Sequence, residues 1–184
     1  MMDWRIKKKK ELIKTRPFAV EEIEITRIST GRDLSHPYFR ISAPSWVNIF
    51  ALTEDKKVIL IRQPRAGAMI QTVEVPGGNI DAGEDPKVAA LRELEEETGY
   101  SAASIRAIGE ISPNPAIMDN KLYMFLAEGC RLSEDRKHFP DATEEIEVFT
   151  ADLLTVEAMI EKGEMHNALA NLTVLMAQKY VLKS

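Results

Sequence analysis

Between Gly78 and Tyr100 the chain reads G-N-I-D-A-G-E-D-P-K-V-A-A-L-R-E-L-E-E-E-T-G-Y, which sets Glu84, Arg92, Glu93, Glu96, Glu97 and Gly99 at fixed intervals behind Gly78. Carboxylates at i, i+3 and i+4 share one helix face and repel, each exposed pair costing about 0.2–0.5 kcal/mol. In a cleft of lower dielectric the repulsion is several times larger. Such crowding is tolerated where cations neutralise it, and hard oxygen donors at this spacing suit Mg²⁺ or Mn²⁺. Mg²⁺ keeps several waters and shares its shell with phosphate oxygens, which points to a phosphate-bearing substrate. An anonymous acidic run is more often a solvated helix face. The complete set of spacings argues against that here.

The elements that must carry these groups follow from local chemistry. Asp85 suits an N-cap, Pro86 the first helical turn, and Gly99 the stop, so the spacing predicts a helix over 86–98. With Glu93 at zero, Glu96 falls at about 300° and Glu97 at about 40° on the helical wheel. Leu91, Leu94 and Thr98 fall on the other side and are expected to face the core, with Glu95 at its rim. Arg92 points sideways and is expected to hold a carboxylate, Glu84 or Glu93, by a charge-assisted bond. Val75-Pro76-Gly77-Gly78 follows a strand, and its two glycines allow backbone to come close to a ligand or metal.

The rest of the chain supplies a scaffold. Its 184 residues suit one domain with a short extension, and 45% hydrophobic with 29% charged residues is ordinary for a soluble globular protein. A net charge of −5 argues against sequence-independent nucleic-acid binding. Cys130 is the single cysteine, which excludes an intrachain disulfide and fits a reducing cytoplasm. No apolar run reaches the length of a membrane span, and the charged N-terminus is not expected to be a signal peptide. Strands are expected at 18–29, 36–42, 46–52, 57–62, 70–75, 104–111, 121–128 and 146–149, and helices at 151–162 and 165–181. The lysine run 7–10 reads as a solvated start of the chain, or else an anion-binding arm, although Trp4 beside it is odd for a free tail. Strands, a helix, more strands and then helices pack naturally as a mixed sheet between helices.

The segment fills every fixed position of G-x5-E-x7-R-E-U-x-E-E-x-G-U, with U a bulky apolar residue, and so resembles the box of the Nudix hydrolases. The resemblance covers roughly 46–182. It implies an α/β Nudix fold: a mixed β-sheet in an α/β/α sandwich over 44–184, with an N-terminal antiparallel strand extension over 1–43. Within the family the chain looks most like the ADP-ribose pyrophosphatase and nucleoside diphosphate-sugar hydrolase branch. Ile61-Arg62-Gln63-Pro64-Arg65 resembles its V-x-Q-x-R strand end, Glu74-Val75-Pro76-Gly77-Gly78 its E-x-P-A-G entry, and Pro115 its marker proline. Gly77 in place of alanine and Asn114-Pro115-Ala116 in place of S-P-G depart from that pattern.

By that resemblance Glu93, Glu96, Glu97 and the carbonyl of Gly77 would hold metal, Mg²⁺ with Mn²⁺ as a substitute. Glu144, with Glu145 beside it, would help hold metal or activate water, against an ordinary acidic surface loop. Arg65 and Arg40 would contact phosphate or ribose, against strand-edge salt bridges. Phe18 would stack on a base, against a place in the core. Gly78, Glu84, Arg92 and Gly99 would shape the box. The implied enzyme is a Mg²⁺-dependent, cytoplasmic homodimer that cleaves nucleotide sugars to a nucleoside monophosphate and a sugar phosphate. The alternatives are a Nudix enzyme for nucleoside triphosphates or other dinucleotides, and a Nudix module that binds nucleotide without turnover.

Overall fold

The computed structural model describes residues 2–139 and 145–181. Among the described residues the chain forms ten strands and three helices, divided between two compact units. The first unit takes residues 1–45 and 112–121, the second 46–111 and 122–184.

The first unit is a three-stranded antiparallel sheet of β1 (Trp4–Lys14), β2 (Ala19–Arg27) and β3 (Tyr38–Ser42), in that order. The lysine run is solvated, as expected, but it is part of a strand and not a free tail. It forms most of β1, because β2 opposite it is acidic: Lys8 pairs with Glu24 and Lys9 with Glu21, while Lys7 reaches Asp33 beyond the strand. Trp4 packs against Tyr38 with ring centroids 5.6 Å apart. The residues before Lys121 run beside β3, with the Ile41 amide donating to the Ile117 carbonyl at 2.7 Å.

The second unit holds β4 (Trp46–Thr53), β5 (Val58–Arg65), β6 (Ile70–Glu74), β7 (Tyr100–Ser101), β8 (Ser104–Ile111), β9 (Leu122–Leu132) and β10 (Glu147–Ala151). They join in one mixed sheet ordered β10-β5-β4-β9-β7, with β6 on β5 and β8 on β9. β4 and β9 are parallel and the other pairs antiparallel. Both faces are covered, so the central strands are apolar on both. Val47, Ile49 and Ala51 of β4 face Ala89, Ala90 and Leu94 of α1 (Pro86–Thr98). Phe50 and Leu52 face the other way, in one cluster with Val156 of α2 (Leu153–Glu161) and Val174 and Ala177 of α3 (Ala168–Val181). The unit is an α/β/α sandwich.

Helix α1 begins and ends where its caps dictate. The Asp85 carboxylate accepts from the Lys87 amide at 2.8 Å, and Gly99 takes the left-handed conformation at φ 75°. Its buried face differs from the expected one. Leu94 and Thr98 are buried, but Leu91 is 38% exposed, and Ala89, Ala90, Glu93 and Glu97 are buried instead. The helix is rolled so that two of its carboxylates sit on the packed side. Small alanines let the backbone approach the sheet, and the acids lie where that packed side meets a cavity.

Candidate active site

A cavity of about 450 Å³ opens in the second unit, between the N-terminal end of β4, the 75–79 loop, α1 and the start of α3. That volume suits a small organic ligand. Glu93, Glu96 and Glu97 from α1 line it, with Gly77 and Gly78 from the loop and Arg65 and Glu74 from β5 and β6. Glu93 and Glu97 are only 9% and 8% exposed.

The loop is fixed to both neighbours. Val47 and Ile49 donate their amides to the carbonyls of Gly78 and Pro76, at 2.9 and 2.8 Å. The Gly77 amide donates to Oε2 of Glu97 at 2.7 Å. A side chain is excluded at both glycines: a methyl on Gly78 would overlap the Glu93 carboxylate, and one on Gly77 the carbonyl of Val47. Asn48, buried at the same spot, donates to Oγ1 of Thr173 in α3 at 3.2 Å.

Arg92 organises the acids. Nε and Nη2 fork onto the two oxygens of Glu84 at 3.0 and 2.9 Å, Nη1 reaches Glu93 at 2.8 Å and Glu96 at 3.2 Å, and Nη2 also reaches the Asn79 carbonyl at 2.9 Å. Both carboxylates expected of it are thus engaged, with a third beside them. The guanidinium holds the Glu84 carboxyl below its usual range, against the opposing effect of partial burial. The Asp81 amide completes Glu84 at 3.0 Å.

A second ionic group lines the same cavity. Glu74, 3% exposed, accepts from Nε and Nη2 of Arg65 at 2.7 and 2.9 Å, and from Nδ2 of Asn167 at 2.6 Å. Arg65 is therefore both a salt-bridge partner and part of the cavity lining.

The box residues and Arg65 are brought together within this unit. Arg40 and Phe18 belong to the first unit, where Arg40 pairs with Glu21 at 2.8 Å and Asp119 at 3.4 Å, and Phe18 is 40% exposed. Glu144 lies outside the described residues; Glu145 lines a separate hollow with Arg62 and Glu147. Sequence reasoning gave no role to Asn48 or Asn167. An asparagine among the apolar residues of W-V-N-I-F-A-L was the available signal for the first, and an asparagine just before an apolar helical run for the second.

The donor set fits a hard divalent cation: carboxylates and a backbone carbonyl around a polar cavity. As placed, no three acidic side chains among the described residues gather on one point. Arg92 supplies the positive charge among Glu84, Glu93 and Glu96.

Comparison with known proteins matches residues 44–173 to the NUDIX domain. The chain is 34% identical to the ADP-ribose pyrophosphatase of Bacillus subtilis (strain 168) over 128 residues, 70% of this chain and 69% of that one. It is 35% identical to the methanol dehydrogenase activator of Bacillus methanolicus over 92 residues, half of each chain. Its fold is similar to that of a solved ADP compounds hydrolase, with TM-score 0.82 and 22% identity, covering 100% of this chain and 96% of that chain.

Proposed function

The chain belongs to the NUDIX domain family, and on that premise we propose that it is a Mg²⁺-dependent hydrolase that splits the pyrophosphate linkage of nucleoside diphosphate sugars, ADP-ribose among them. The observation that carries this reading is that groups of both charges line one cavity. Three box carboxylates from α1 and a guanidinium, Arg65, line it together. A diphosphate would offer oxygens to a cation held by the carboxylates and to the guanidinium. The similarity to an ADP-ribose pyrophosphatase supports the choice of substrate class.

Glu93, Glu96, Glu97 and the Gly77 carbonyl would hold the metal. When bound, Mg²⁺ would neutralise charge building on phosphorus and lower the pKa of an attacking water. The protein's own groups do the rest. Arg92 orients Glu93 and Glu96, and the Gly77 amide orients Glu97. Arg65, aimed by Glu74, meets a phosphate or the adjoining ribose. A glutamate, Glu96 or Glu144, takes the proton of the attacking water. The water oxygen joins one phosphorus, the bridging P–O bond breaks, and a nucleoside monophosphate and a sugar phosphate leave.

We also propose a homodimer formed through the first unit. Ile6 and Ile13 of β1 and Phe39 of β3 are 46–57% exposed, apolar side chains that a partner could cover. A cytoplasmic location fits the single cysteine, Cys130, which burial pushes up to about 12 and so keeps as a thiol. Among the described residues no helix is long and apolar enough to cross a membrane.

The test is a panel of ADP-ribose, GDP-mannose, ADP-glucose, UDP-glucose and nucleoside triphosphates with Mg²⁺, with products identified by mass. Turnover of the sugars to monophosphates, abolished by EDTA and restored by Mg²⁺, is expected. Exclusive triphosphate turnover would overturn the substrate class, and tight binding without turnover would make the chain a nucleotide-binding module.

A further inference from the structure

We propose that Asn167 is a positioning residue that fixes the Glu74–Arg65 pair on the wall of the substrate cavity. The proposal rests on the reading of that cavity as a diphosphate site. Asn167 uses both ends of its amide. Oδ1 accepts from the amides of Leu169 and Ala170 at 3.0 and 3.3 Å, which makes it the N-cap of α3. Nδ2 donates to Oε2 of Glu74 at 2.6 Å. The two environments fix the orientation of the amide, since the oxygen faces two N–H donors and the nitrogen faces a carboxylate.

The contact is built into the fold from both sides. The segment before α3 is pinned along β6, the His166 amide donating to Oγ1 of Thr72 at 3.1 Å and the Val73 amide to the Glu164 carbonyl at 3.3 Å. Asn171 donates back to the Met165 carbonyl at 3.0 Å. Asn167 therefore arrives at Glu74 by a fixed route. Glu74 is all but buried, while the Arg65 side chain is 46% exposed. An exposed guanidinium on a long stem has many rotamers; a clamped carboxylate selects one. With Asn167 as its second partner, Glu74 is held in place and Arg65 comes to it.

An N-cap alone does not require asparagine. Serine and aspartate cap about as well. Aspartate would set a second carboxylate against Glu74, and serine is too short to reach it while its oxygen caps the helix. Asparagine meets both demands at once.

The experiment measures KM, kcat and Tm for the wild type, Asn167→Ser and Asn167→Asp with ADP-ribose and Mg²⁺. For Asn167→Ser the expected result is a KM raised about 5–20-fold, with kcat within about twofold and Tm held by the retained cap. For Asn167→Asp the KM should also rise, and fall again as pH is lowered and the new carboxyl pair takes up a proton. That pH dependence is one a merely structural cap would not produce. Wild-type KM in both variants, or a loss of kcat and Tm with KM unmoved, would overturn the proposal. Should the wild type turn over none of the panel, the functional reading fails instead. The inference is then decided by the Kd of inorganic pyrophosphate in Mg²⁺, measured by calorimetry: about 5–20-fold weaker binding by Asn167→Ser supports it and equal binding overturns it.

Discussion

The backbone amide of Gly77 donates to Oε2 of Glu97 at 2.7 Å, joining the loop before the box to a helix residue 20 positions later. One carboxylate is thereby aimed by the same loop whose carbonyl is proposed to share its metal. Glu97 also lines the cavity. Glu97→Gln can keep this bond through its amide oxygen while losing the charge. Turnover of ADP-ribose should fall about 10²–10³-fold or more, with Tm and circular dichroism close to wild type. Near-normal kcat would remove Glu97 from the chemistry.

Gly78 and Gly77 exclude side chains for different reasons, and substitution should separate them. The nearest atoms to a methyl on Gly78 all belong to the Glu93 carboxylate, so Gly78→Ala should push that acid aside and reduce kcat strongly. A methyl on Gly77 meets the Val47 carbonyl and, at 2.8 Å, Oδ1 of Asn48. Backbone cannot yield as a side chain can, so Gly77→Ala should also cost about 1–3 kcal/mol of stability. Gly67, with open space around it, is the control, and Gly67→Ala should change neither. Equal Tm for the two box variants would contradict this division.

The gap between what was legible in the sequence and what was not has a physical cause. Helix α1 was legible to the residue because caps are local: Asp85, Pro86 and Gly99 state its ends within the segment itself. The three carboxylates and Arg92 were legible for the same reason. The roll of the helix was not, since it depends on which residues allow close approach to the sheet. Ala89 and Ala90 decided that over Leu91. The lysine strand was hidden because its partner charges, Glu21 and Glu24, lie on another strand. Asn167 and Glu74 stand 93 positions apart, and no spacing within one segment could relate them.

Arg92 makes five hydrogen bonds with its five N–H groups. Lysine has three donors on one atom and cannot fork onto Glu84 while reaching Glu93 and the Asn79 carbonyl. Arg92→Lys keeps the charge but loses the geometry. It should lower kcat about 10-fold or more and weaken Mg²⁺ activation, measured as a higher half-saturating metal concentration. If Arg92→Lys matched wild type in both, positive charge alone would account for the residue.

Glu21 provides a test of acid stability in the first unit, away from the box. Burial pushes its carboxyl up, but Lys9 at 2.5 Å and Arg40 at 2.8 Å outweigh that and hold it below its ordinary value of 4.5. A carboxyl with a lower pKa folded than unfolded binds fewer protons in the native state. Its contribution to stability is complete above about 4.5 and is lost as pH falls through the lower, folded value. At pH 7 Glu21→Gln should be less stable than wild type by about 1–3 kcal/mol, because charge-assisted bonds are lost while Lys9 and Arg40 remain. As pH is lowered below about 4.5 the wild type should lose stability faster, and the two melting curves should converge. Calorimetric Tm from pH 7 to pH 3 measures this. A gap that stays constant across that range would show that the ion pairs of Glu21 do not set its protonation.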